Sequence, residues 1–133
     1  MNTDLQVHHP RRHGFRFSIW DAVILLVGGG VVLRLWQASN PLWWIAAMAL
    51  GHFFLFCNVF LVWRRWELLW AAAFTMNMTL HLAFDFPMPW SVLLCQFPLT
   101  LFVIFRQIRS PWYHGICAET LNPRLEDYLN DRL

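Results

Sequence analysis

Five side chains sit where polar groups are costly and could do chemistry: His52, Asn77, His81, Asp85 and Gln96. His52 follows Gly51 inside the apolar run Leu42–Trp63, and Asn77, His81 and Asp85 lie inside Leu68–Phe86. Those three are spaced i, i+4, i+8. Successive members are offset by about 40° on a helix and share one face. Asp85 could accept a hydrogen bond from one ring nitrogen of His81. That would fix the tautomer and leave the other nitrogen for a ligand.

Counting along antiparallel helices gives their depths. His52 lies 11 residues from Trp63; Asn77 and His81 lie 10 and 14 from Glu67. At the helical rise the three fall within roughly 6 Å of one another in depth. Gln96, seven residues beyond Pro89, joins the same layer. His52, Asn77, His81 and Gln96 therefore form one expected intramembrane polar layer drawn from three helices. Two histidines on different helices meet the minimum condition for holding b-type haem or a metal ion. With Asp85 they could also serve as stations for proton movement. The competing explanation is interhelical hydrogen bonding, worth about 1 kcal/mol per group. Arg34 and Asp85 both lie near the outer helix ends, so an Arg34–Asp85 salt bridge competes with the Asp85–His81 bond.

Composition demands a lipid environment for these groups. Of 133 residues, 58% are hydrophobic and 14% charged, against about 25% charged in soluble domains. Lipid-facing side chains accommodate that excess; a soluble surface does not. The expected fold is an all-α integral membrane protein, a four-transmembrane-helix bundle with short hairpin loops. Its spans are about 19–37, 42–63, 68–86 and 90–108, within a domain of 18–109. Residues 1–17 form a disordered basic arm whose HHPRRH segment could bind a metal weakly. Residues 110–133 form a tail, in which Asn122-Pro123 starts a short helix with Leu125, Tyr128, Leu129 and Leu133 on one side.

Several sequence features refine this architecture. Gly28-Gly29-Gly30 and the Ala47/Gly51 pair would let helix backbones approach closely. Ala38-Ser39-Asn40-Pro41 makes a turn, and Arg64-Arg65-Trp66-Glu67 is expected as a charged hairpin. Pro98 interrupts the last span. Arg11, Arg12, Arg16, Arg64, Arg65, Arg106 and Arg109 fall on one side and only Arg34 on the other. The positive-inside rule then makes both termini cytoplasmic. Trp20, Trp63, Trp66 and Trp112 mark the inner boundary; Trp36, Trp43, Trp44 and Trp90 mark the outer one. Asp21 falls at the level of Arg64, Arg65 and Arg106, where it could pair. Short loops and the arginine bias suggest a bacterial cytoplasmic (inner) membrane.

A net charge of +2 gives no reason to expect nucleic acid. Cys57, Cys95 and Cys117 form no C-x-x-C pair, so no disulfide framework is expected. Phosphate loops, H-E-x-x-H and G-x-S-x-G are absent, although an intramembrane enzyme needs none of them. Three functions are compatible with the residues. The simplest is a non-enzymatic accessory or scaffold subunit in a larger membrane complex, its partners being the lipid bilayer and other membrane subunits or a second copy of itself. The others are a haem- or metal-binding redox protein using His52 and His81, and a small transporter or proton-conducting subunit.

Overall fold

The computed structural model describes residues 13–84, 89–130 and 132. The chain is helical, with no strand among the described residues. Four long helical segments come in order: α1 (Ile19–Gln37), α2 (Trp43–Phe54, continued by a π-helical turn at Leu55–Val59), α3 (Arg64–Phe84) and α4 (Pro89–Ile108). Two short tail helices follow, α5 (Ala118–Leu121) and α6 (Leu125–Leu129). Helix α1 packs along α2, and α3 along α4. Two helices, Ile19–Gln37 and Trp90–Ile108, are long and apolar enough to cross a membrane.

Helix α1 starts in a capping box. The Ser18 N–H donates to Asp21 Oδ2 at 2.6 Å, and the Asp21 N–H donates to Ser18 Oγ at 3.3 Å. Two otherwise orphaned donors are thereby satisfied. Asp21 thus serves the cap, not an arginine. Past Gln37 the chain turns at Ser39, whose φ of 51° is left-handed, and the Asn40 N–H closes the turn on Leu35 O at 2.9 Å. No residue of α1 is buried. It approaches α2 closely at Gly28, where a Cβ would lie 2.8 Å from a Leu50 methyl. Gly29, Gly30 and Gly51 have open space where a Cβ would stand.

The second helix differs from the 22-residue span expected over 42–63. After Phe54 the hydrogen bonding widens, with the Phe60 N–H reaching Leu55 O at 3.0 Å. Leu61 then turns left-handed at φ 46°, so the helix stops at Val59. Such a break is tolerable only if its freed backbone groups are paired. Gln107 of α4 does this with both ends of its amide. Its Nε2 donates to Leu61 O at 2.8 Å, and its Oε1 accepts from the Trp63 N–H at 3.3 Å. The connection is therefore Phe60–Trp63. Arg64–Glu67, expected as a hairpin, is the first turn of α3.

Both ends of the chain fasten onto this bend. Residues 13–17, expected as part of a disordered arm, are anchored: the Gly14 N–H donates to His114 O at 2.8 Å and the Arg16 N–H to Asn58 O at 3.1 Å. Asn58 Nδ2 returns a bond to Arg16 O at 2.8 Å. Phe15 and Phe17 stack on each other and meet Phe54 edge-on. Of the HHPRRH segment only His13 is among the described residues, its Nε2 lying 2.9 Å from Glu119 Oε1.

From the other end, the Ile116 N–H bonds Val59 O at 2.9 Å. Gly115 is required beside it, because a Cβ would come 2.9 Å from both Val59 O and Phe60 O. The tail packs Tyr113, Ala118 and Leu125 into a small core with Phe60, Ile108, Tyr128 and Leu129. Asn122 ties it together without serving as the N-cap of α6. Its Nδ2 donates to Pro111 O and Tyr113 O at 2.9 and 2.7 Å, and its Oδ1 accepts from the Arg124 N–H at 3.0 Å. Leu133 lies outside the described residues.

Candidate functional site

The main core is aromatic and lies between the helix pairs: Phe56 from the π-helical turn, Trp70, Phe74 and Met78 from α3, and Val92 and Val103 from α4. A connected set of polar side chains runs through it. Helix α3 presents Trp70 and Asn77, close to two full helical turns apart and so on one face. Helix α4 presents Gln96 and Thr100, spaced i, i+4 on one face.

The hydroxyl of Thr100 is the hub. Trp70 Nε1–H donates to it at 2.8 Å. His52 Nε2 lies 3.0 Å from it. The hydroxyl is also 2.9 Å from Gln96 O in its own helix, the back-bonding that bends helices. Gln96 Nε2 donates to Trp70 O at 3.1 Å, and its Oε1 accepts from Asn77 Nδ2 at 3.3 Å. The His52 ring stacks on Trp70, centroids 4.2 Å apart at 21°, and its Nδ1 faces Met48 O at 2.9 Å. Gln96, Thr100 and Trp70 are all buried.

Counting hydrogens constrains the chemistry. A carbonyl cannot donate, so Nδ1 of His52 carries a proton to Met48 O. Indole is a donor only, so Trp70 spends its hydrogen on Thr100. The threonine then has one hydrogen for two acceptors. With neutral His52 it can point at Nε2; with imidazolium it must point at Gln96 O. The His52 proton state and the back-bond in α4 are thus linked through one rotor.

Three of the four expected layer residues, His52, Asn77 and Gln96, meet in this network. His81 does not join them through Thr100; its ring stands edge-on to Trp44, centroids 6.1 Å apart. Asp85 lies outside the described residues, and with it both the Arg34–Asp85 bridge and the Asp85–His81 bond. The haem or metal assignment to His52 and His81 meets a chemical obstacle. Both ring nitrogens of His52 are already engaged, so axial ligation would have to break one of those bonds. Among the described residues no group of three His, Cys, Asp or Glu could hold a metal ion. Cys57 donates toward Glu67 Oε1 at 3.5 Å, and the three cysteines are free.

Trp70 and Thr100 are the members that the depth argument missed. Trp70 carried a signal: it lies about one helical turn inside the expected inner belt at Trp66, and its N–H needs a partner when buried. Thr100 carried another, as the residue one helical turn beyond Gln96 on the same face.

Two cavities flank His52. One, of about 560 Å³, lies between α2 and α4 and is lined by Met48, Trp90, Leu94 and Phe97 among others. The second, of about 390 Å³, lies between α2 and α3 and extends from Thr75 past Trp70 to Glu67. Comparison with protein-family models, with curated proteins and with solved structures finds no match to this chain.

Proposed function

We propose that the chain is a small integral membrane accessory or scaffold subunit of a larger complex. In this reading it crosses a bacterial cytoplasmic membrane four times with both termini inside. One observation carries it: α1 has no buried residue, and its Gly29 and Gly30 stand open. In lipid, small residues are where a neighbouring helix backbone packs. Of the three glycines only Gly28 faces a side chain of this chain, Leu50, which leaves room for a helix of another subunit or a second copy. The central network supports the same reading, because its polar groups are spent on one another.

The test is gentle purification of the full chain from its native membrane, with mass spectrometry of co-purifying proteins. A stoichiometric partner, or a stable homo-oligomer, is expected. The pair Gly29→Leu and Gly30→Leu should release it while the helical signal and unfolding midpoint stay unchanged. A wild-type chain that purifies as a lone monomer, or a variant that keeps its partner, overturns the proposal.

A second reading, a proton-conducting subunit, is favoured by the two cavities that meet at His52, one of which reaches Glu67. In liposomes it requires a proton flux that His52→Gln removes. Equal flux in the variant refutes it.

A further inference from the structure

On the side of the molecule away from the Ser39 turn, the start of α3 and the end of α4 enclose a cleft of about 220 Å³. Its walls carry Arg65, Arg106 and Arg109 beside Trp66 and Trp112. The aromatic surface is built and held. Trp63 stacks on Trp112 with centroids 4.5 Å apart, and the Arg65 guanidinium lies 4.6 Å over Trp63. Arg106 lies 5.8 Å over Trp66, and Arg109 lies 4.2 Å over Phe105.

These cations are held by rings, not by acids. The ion pairs among the described residues are His13–Glu119 and Arg132–Asp127, and neither involves the cleft. Glu67, the nearest acid in sequence, lines the cavity toward α2 instead. Stacking fixes a guanidinium while leaving its N–H fork available, the geometry suited to a phosphate.

A second feature adjoins the cleft. An apolar groove of about 420 Å³ runs along α4 beside Leu101, Phe102, Ile104, Phe105 and Ile108. The two share an edge: Arg109 covers Phe105, and Phe102 meets Trp66 with centroids 5.8 Å apart. A compact polycationic cleft opening directly onto an apolar groove matches an amphiphile with an anionic head and a hydrocarbon chain.

We infer that this is a binding site for one anionic glycerophospholipid, its phosphate between Arg65, Arg106 and Arg109 and an acyl chain along Leu101–Ile108. The inference rests on the membrane reading above, since it needs the α4 groove to face lipid. Basic pockets between helices on the cytoplasmic side are where anionic headgroups are bound. The groove explains why a lipid is preferred to free phosphate: a soluble anion would leave the apolar half unused.

The experiment uses the full chain in neutral detergent. Thermal unfolding is followed with added phosphatidylglycerol, phosphatidylcholine of the same acyl chains, glycerol 3-phosphate or inorganic phosphate. Native mass spectrometry counts retained lipid. Phosphatidylglycerol should raise the midpoint by about 4 °C or more over phosphatidylcholine, with one lipid retained. The soluble phosphates should do much less. The double variant Arg106→Gln with Arg109→Gln should lose that difference, and Arg34→Gln, at the opposite end, should keep it. Should the double variant fail to fold, Arg65→Gln, on the other helix, must reduce the difference by itself. An equal response to inorganic phosphate, an equal response to phosphatidylcholine, or an unchanged preference in the variants overturns the site. Carbonate extraction of the wild-type membranes tests the parent reading separately. Release into the soluble fraction refutes that reading; retention without a phosphatidylglycerol preference refutes the lipid site alone.

Discussion

The polar network around Thr100 and the arginine cleft at the end of α4 both concentrate polar chemistry, and they differ in how it is spent. In the network, the indole N–H of Trp70, both nitrogens of His52 and the amide of Gln96 have partners within the chain. In the cleft, Arg65, Arg106 and Arg109 rest on rings and meet no carboxylate among the described residues. Buried groups without partners are expensive, and the groups of this network satisfy one another. Charges at a surface bear no such compulsion and remain available. Burial of a histidine therefore says less about ligand binding here than the exposed, pre-stacked guanidiniums do.

This contrast implies a ranking of effects. The largest belongs to Trp70→Ala, which removes the ring shared by His52, Phe56 and Phe74 as well as the donor to Thr100. Core aromatic truncations cost about 3–5 kcal/mol, and a corresponding fall in thermal midpoint is expected. A loss under 1 kcal/mol would mean that the network does not hold the helix pairs together. Thr100→Val comes next. It preserves shape but strands Trp70 Nε1–H and one nitrogen of His52, at about 1–2 kcal/mol. Lipid preference should survive it. The arginine variants invert that pattern, with stability in plain detergent changed by no more than about 0.5 kcal/mol but lipid selectivity gone. If Thr100→Val and the arginine variants acted alike, the division between structural and available polarity would fail.

The smallest effect concerns the tail. Burial, and secondarily Cys117, pushes the Tyr113 phenol from 10.0 up to about 12. The folded state thus holds this proton where the unfolded chain releases it. Stability should be indifferent to this group below pH 10 and fall as pH rises from 10 toward 12. Tyr113→Phe should flatten that alkaline slope in a pH series of unfolding curves. It should also lose the hydroxyl bond to Ile116 O, 2.8 Å long, at about 1 kcal/mol.

Much of the site was legible because depth and helical phase are arithmetic. Counting residues from the helix ends is enough to bring His52, Asn77 and Gln96 to one level. The same arithmetic assumed an unbroken α-helix through residue 63. The π-helical turn at Leu55–Val59 and the left-handed Leu61 violated that assumption. Their cause is remote: the amide of Gln107, more than forty residues downstream, receives the freed backbone groups. No local propensity at Phe60–Val62 announces such a partner. His81 illustrates the other limit, since sharing a depth with His52 does not decide which neighbour its ring meets. For Asp21, Ser18 three residues away is a cheaper partner than an arginine across space.

The bend at Phe60 also bears on the order of assembly. A chain is synthesised from its N-terminus. The groups that hold this bend, Gln107 on α4 and the Gly115–Ile116 segment of the tail, are among the last made. Until they emerge, the joint between the second helix and α3 is unclamped, and the Gly14 N–H lacks its acceptor, His114 O. The final quarter of the chain is therefore the fastener for its first half. A ribosome stalled before residue 107 would hold three of the four long helices without the amide that sets the angle between two of them.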